Sequence, residues 1–270
     1  MRPLIALRLG LTLLATPMLA QSTDSTRDKT FLVGRDFLVA GVALGVTAAV
    51  SHYDVDIARA SQQSRYQGSG LRSFATNVSK VNETTLTLAG IATYGVARLA
   101  GNSMISDVAL HATESVVLAS VASQLIRGTL GRTRPYVTHD SDQYNFHPGK
   151  GFFGSASFDY RAFPSIHTSS SLAVATVIAM ETHRRNPDAT IFVAPIVFGA
   201  ALLPGLARID LDQHWASDIV SGAFMGIFAG YKVVSYSHAH PNNWFDRVLL
   251  TATVVPDGNG RMLVMLNPTI

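Results

Sequence analysis

The sequence predicts an all-α protein: a helical bundle of about six core helices with its site at one end, plus a short C-terminal β-hairpin. Two observations carry the bundle. Apolar stretches rich in Ala, Leu, Val and Gly recur at 37–50, 86–100, 108–126, 172–180, 191–206 and 219–234, with polar breaks between them. Short polar motifs sit at the ends of the later stretches, where a bundle gathers its loops. The hairpin rests on a third observation: residues 246–255 are β-branched and partly alternating, and Pro256-Asp257-Gly258-Asn259-Gly260 then leads into 261–266.

Taken in order, residues 1–20 carry an early Arg2, an apolar run at 9–15, then Thr16-Pro17 and Ala20, which is the pattern of a secretory signal peptide. Met18 occupies the position three before the expected cut, where a small residue is usual. The expected domains are therefore a signal peptide at 1–20, a helical domain at 21–240 and a hairpin extension at 241–270. Residues 53–83 hold Ser, Gln, Asn and Arg and predict polar connections with short helices. Asn186-Pro187-Asp188 predicts one helix break and Pro204-Gly205 another.

Composition narrows the function. Hydrophobic residues make up 47% of the 270 and charged ones 14%, so the chain is apolar for a soluble protein. Setting aside Arg2 and Arg8 lowers the formal net charge from +3 to +1, and no basic footprint for nucleic acid is left. The absence of cysteine rules out a disulfide framework. The apolar runs fall short of the about 20 residues that a span needs, and the 108–126 stretch includes His111, Glu114, Ser115, Ser123 and Gln124. The expectation is thus an exported, periplasmic bundle, soluble or in peripheral contact with a membrane. The alternative is an inner-membrane protein with its site facing the periplasm, which the basic loop His183-Arg184-Arg185 would favour.

Three motifs carry chemistry. Arg127 and Arg134, the latter followed by Pro135, offer planar, charge-assisted contacts to phosphate oxygens. Pro164-Ser165-Ile166-His167 opens a helix, whose unpaired N–H groups favour an anion. Ala207-Arg208 precedes His214 and Asp218, which are four residues apart on one helix face. A carboxylate so placed accepts from one imidazole nitrogen and leaves the other free to act as a nucleophile. Each part alone has a plainer reading: a helix-end arginine, an N-cap serine, a helix ion pair. Together they compose an anion cradle with a nucleophile and an acid, and they call for no metal and no cofactor.

The order and spacing resemble the signature of the type 2 phosphatidic acid phosphatase and vanadium haloperoxidase superfamily: Lys-x6-Arg-Pro, Pro-Ser-Gly-His and Ser-Arg-x5-His-x3-Asp. The likeness covers about 108–234. It implies His214 as nucleophile, Asp218 as its orienting group and His167 as general acid. Arg127, Arg134, Ser165 and Arg208 would bind phosphate, with the Ile166 backbone N–H beside them. Three positions depart: Arg127 replaces lysine, Ala207 replaces serine and Ile166 replaces glycine. Isoleucine would be strained if that position needed a positive φ.

The activity expected from this resemblance is phosphomonoester hydrolysis through a phosphohistidine. The substrate would be a lipid phosphate, such as phosphatidic acid or a prenyl phosphate, or a small soluble phosphomonoester. A broad-specificity soluble acid phosphatase, a vanadate-dependent haloperoxidase and a non-catalytic envelope protein remain alternatives. The aromatic, glycine-bearing segment 136–163 should border the site, as an apolar lip or a self-packed loop. Arg132 is expected to be solvated or supporting, and Asp54 and Asp56 to lie on a solvated connection. Glu114 is expected to pair with an arginine or polar neighbour. His238-x-His240 reads as incidental, since no matching acidic set adjoins it in sequence.

Overall fold

A computed structural model describes residues 30–240, 243 and 246, and the backbone of 252–256 and 262–266. The expected signal peptide lies outside the described residues. Helices run as α1 (Gly34–Ser51), α2 (Asp54–Ser61), α3 (Ser69–Val78), α4 (Glu83–Leu99), α5 (Ser103–Leu130), α6 (Ile166–Arg185), α7 (Pro187–Asp210) and α8 (Ala216–Ala239). The six expected apolar stretches are the cores of α1 and α4–α8. The polar stretch between the first two holds the short α2 and α3. Strands β1 (Ala252–Pro256) and β2 (Met262–Leu266) pair antiparallel with each other, Val254 opposite Val264.

Local chemistry sets the helix ends. The Asn82 side chain accepts from the Thr84 and Thr85 N–H groups, and Thr85 Oγ1 accepts from the Asn82 N–H, a reciprocal cap that starts α4. The Asn102 and Asn186 side chains accept from the Ile105 and Ala189 N–H groups and cap α5 and α7 without the reciprocal bond. Gly131 ends α5 at φ 61°, and a Cβ there would meet the His147 carbonyl at 1.9 Å, so glycine is required twice over. The break at Asn186-Pro187 is present. The one expected at Pro204-Gly205 is not: α7 runs through Pro195 and Pro204 to Asp210. Gly205 instead serves packing, since a Cβ there would come within 2.4 Å of Thr168 Oγ1 on α6.

Helix α6 is the axis of the bundle, packed by α5, α7 and α8. Leu172 and Ala175 meet Ala201, Ala223 and Ile227 on one side, and Ala173 meets Val116, Ala119 and Ala229 on the other. The α6–α8 approach is close enough that a Cβ at Gly226 would lie 2.2 Å from the Ser169 carbonyl. This contact joins the helix that opens with His167 to the one whose first turn holds Asp218.

Among the described residues, four helices, α1, α5, α7 and α8, are long and apolar enough to cross a membrane. The expectation of short runs came from interrupted hydrophobicity, and α5 shows why it misled. His111, Ser115 and Ser123 all turn inward and are buried, so polar residues in the sequence do not make a polar outer face. Outward, Phe37, Leu44, Leu125, Ile191, Phe192 and Ile196 are exposed, Phe37 at 73%. Such an apolar exterior, on helices of this length, favours the membrane alternative over a soluble or peripheral bundle.

Candidate active site

All three motifs converge at one end of the bundle, as expected. Arg127 lies in the last turn of α5, and Arg134 precedes a single helical turn at Pro135–Thr138. Ser165 is the N-cap of α6, with Ile166 and His167 opening the helix. Arg208 closes α7, and His214 sits in the short connection before α8, where Asp218 lies in the first turn. The Asp218 carbonyl accepts from the Ser165 N–H at 3.0 Å, which ties the second motif to the third.

His214 is 1% exposed. Its Nδ1 lies 3.4 Å from Asp218 Oδ2, while its Nε2 is buried with no hydrogen-bond partner. The same Oδ2 accepts from the Trp215 N–H at 2.8 Å. The His167 and His214 ring centroids are 6.5 Å apart. Burial first, then Arg134, Arg208 and Arg127, holds the His214 imidazole well below its ordinary value. Burial and then Arg208, Arg127 and Arg134 bring His167 down to about 3. Both histidines therefore sit in the field of all three arginines, and a tetrahedral oxyanion bound there would offset that field.

Backbone carbonyls hold Arg127 and Arg134, and a side chain holds Arg208. Arg127 Nε donates to the Arg161 carbonyl at 3.0 Å. Arg134 donates to the Phe158 and Gln213 carbonyls at 2.8 and 2.7 Å, with its guanidinium 4.0 Å over the Phe158 ring. Arg208 Nη2 donates to Gln213 Oε1 at 3.1 Å, and its Nε is buried and unpartnered. Segment 136–163 thus borders the site and positions arginines through its carbonyls, while Phe153 and Phe158 stay exposed.

Ser165 is fully buried, and its hydroxyl accepts from Thr168 Oγ1 at 3.0 Å and, more weakly, from the Thr168 N–H at 3.5 Å. Ile166 has a helical backbone and does not appear among the residues of positive φ, so the feared strain is absent. It is 2% exposed and fills the space that a glycine would leave empty. Replacing Ile166 with glycine should therefore destabilise the protein by about 3 kcal/mol, from a lost buried side chain and a more flexible first turn. A thermal melt of the variant unchanged from wild type would contradict this.

Sequence reasoning missed the support beneath Asp218. Arg132 is 2% exposed rather than solvated, and Asp54 is wholly buried rather than on a solvated connection. Arg132 donates to Asp218 Oδ1 at 2.5 Å, to Asp54 Oδ2 at 2.8 Å and to the Gln143 carbonyl at 2.9 Å. Asp54 also accepts from the Ser217 N–H at 2.8 Å and from the Ser217 hydroxyl. Burial acts to lower the Arg132 guanidinium, but Asp218 and Asp54 outweigh it and raise the group above its ordinary value. Glu83 approaches Arg127 and Arg208, and the Ser79 backbone approaches His167. The one available signal was the apposition of Asp54, at the start of a polar stretch, with an extra arginine inside the first motif.

Comparison with known proteins fits this geometry. Residues 108–241, which hold every motif residue, match the model of the PAP2 superfamily, and the chain belongs to that superfamily through this region. It is 28% identical over 134 residues to a lipid A 1-phosphatase of Rhizobium etli, covering 49% of this chain and 52% of that protein. It is 29% identical over 142 residues to the probable lipid phosphate phosphatase 4 of Arabidopsis thaliana, covering 47% and 45%. The chain thus spans about half the length of these relatives. Its fold is similar to that of a transmembrane PAP2 type phosphatidylglycerolphosphate phosphatase from Bacillus subtilis, with a TM-score of 0.53 and 21% identity over 75% of this chain and 95% of that one.

Proposed function

We propose that the chain is a membrane-embedded phosphatase that hydrolyses lipid phosphomonoesters through a phosphohistidine on His214. The observation that carries this reading is the buried, unpartnered Nε2 of His214, in the field of three arginines and backed by Asp218 at Nδ1. The relatives named as lipid phosphatases support the substrate class, and the apolar exterior of α1, α5 and α7 supports the membrane location.

In the first step Nε2 forms a bond to phosphorus as the bond from phosphorus to the ester oxygen breaks. Arg127, Arg134 and Arg208, with the N–H groups at the start of α6, hold the non-bridging oxygens, where charge must be stabilised. Asp218 keeps the Nδ1 proton in place and stabilises the imidazolium. His167 gives its proton to the leaving alcohol. It then takes one from water, which attacks phosphorus, frees inorganic phosphate and restores neutral His214.

The pH dependence follows from the depressed histidines. With His167 at about 3 and His214 well below its usual value, both are neutral in the free enzyme at pH 7. Neutral His214 suits attack, whereas the proton that His167 passes on must arrive with the substrate. A phosphomonoester loses its second proton near pH 6, so kcat/KM should fall about tenfold per pH unit above that point. The acid limb, set by protonation of His214, should lie well below the ordinary histidine range. A profile that climbs through pH 9 would sink this assignment.

Phosphate release from phosphatidic acid, a lipid A 1-phosphate, phosphatidylglycerolphosphate and p-nitrophenyl phosphate, measured in parallel on membrane and soluble fractions, tests the proposal. Turnover of a lipid substrate by the membrane fraction is expected. Activity confined to p-nitrophenyl phosphate in the soluble fraction would refute it.

A further inference from the structure

We propose that His111, Glu114 and Asp246 form a divalent transition-metal site remote from the catalytic centre. On α5, Asp107, His111 and Glu114 recur at helical spacing and share one face. His111 is 1% exposed. Its Nδ1 lies 3.3 Å from Glu181 Oε1 on α6, an acceptor that holds the proton on that nitrogen. The lone pair is then on Nε2, which is buried without a hydrogen-bond partner and has Asp107 Oδ1 and Asp246 Oδ2 each 3.7 Å away. Glu114 Oε1 is also buried and unpartnered. Two orphaned donor atoms thus belong to one trio, whose ligand atoms all lie within 4.8 Å of one another.

Charge points the same way. Asp107, Glu114, Glu181 and Asp246 bring four carboxylates to a largely enclosed place. Arg185 answers two of them, reaching Asp107 at 3.0 Å and pairing with Glu181. His238 Nε2 lies 2.6 Å from Glu181 Oε1. The histidine that looked incidental in the sequence therefore has its acidic partner, supplied by another helix. Buried carboxylates in excess need a cation or protons. One imidazole with two carboxylates is a donor set for zinc or manganese rather than for an all-oxygen calcium cage. A carboxylate on the far nitrogen of the ligating histidine is the usual outer support of such a site. Ligand bonds of about 2.0–2.2 Å require the trio to close by less than about 2 Å, within reach of side-chain rotation.

The place is distinct from the active site. His111 precedes Arg127 by sixteen residues on α5, so the two are separated by about 24 Å along the helix axis. Glu181 and His238 likewise lie near the ends of α6 and α8 away from His167 and His214. An ion here would fasten the chain beyond α8, through Asp246, to the far end of the bundle.

The full chain, purified in detergent and freed of metal by chelator dialysis, would be loaded with Zn²⁺ or, in parallel, Mn²⁺, desalted and assayed by elemental mass spectrometry. Wild type and His214→Ala should retain about one ion per chain, and Glu114→Gln and Asp246→Asn should each bind at least about tenfold more weakly. Asp246 lies beyond the last core helix, so its variant carries the test if Glu114→Gln fails to fold. Retention of neither metal by wild type would overturn the site and leave the trio a proton-sharing cluster. Undiminished retention by Asp246→Asn would overturn it as well.

Discussion

His214→Ala should lower kcat/KM for a lipid phosphate by on the order of 10⁴-fold or more, the scale seen when a nucleophile is removed. That corresponds to at least about 5 kcal/mol of transition-state stabilisation. The loss should lie in kcat rather than KM, because the arginines proposed to bind the phosphate remain. The variant should fold, since alanine removes a ring whose Nε2 has no protein partner. Stoichiometric binding of a non-hydrolysable phosphonate to the variant, with no phosphate released, is the expected pair of readouts. Residual activity within about tenfold of wild type would mean that phosphorus never passes through this nitrogen. Asp218→Asn is the companion test. It preserves shape but loses the charge that stabilises the imidazolium, and a fall of on the order of 10³-fold is expected.

The residues proposed to touch phosphate were the legible part of this protein. Arg127, Arg134, His167, Arg208, His214 and Asp218 are spaced so that a helical bundle can deliver them to one end, and the structure brings them there. Ile166 showed the limit of motif reading. A departure from glycine suggested strain, but the backbone at this position is an ordinary helical turn and the side chain fills the core. Arg132 and Asp54 were misread for another reason. Their importance comes from an encounter between α2, the loop after α5 and the first turn of α8, and no spacing in the sequence encodes such a three-way contact. The membrane question turned on the same kind of information. Counting uninterrupted apolar residues penalised α5 for His111 and Ser115, which the fold turns inward.

Arg132 and Asp54 form the base on which the His214–Asp218 pair stands, and loss of either should be severe. Arg132 bridges Asp54 and Asp218, with all three carboxylate and guanidinium groups almost wholly removed from solvent. Attraction between charges in such a place is large, yet so is the cost of having buried them. The net worth of the network is therefore modest, while the penalty for leaving one member unpaired is high. Asp54→Ala should accordingly destabilise the protein by about 3–5 kcal/mol. It leaves the Ser217 N–H and part of Arg132 without an acceptor. Asp54→Asn keeps most of the shape and one acceptor, and should cost less. Arg132→Met strands two carboxylates and should cost at least as much as Asp54→Ala. Adding Asp54→Leu to Arg132→Met should restore part of that stability, because one stranded charge disappears with its partner. Thermal melts in detergent of these variants and of Asp54→Leu alone measure the differences, and strict additivity of the Arg132→Met and Asp54→Leu effects in the double variant would refute the coupling. Activity separates positioning from mere stability. At a temperature where Asp54→Asn is fully folded, its kcat should fall with KM unchanged, because Arg132 then pulls on Asp218 without its second counter-charge and His214 loses its alignment. A folded Asp54→Asn with wild-type kcat would confine the network to holding the fold together.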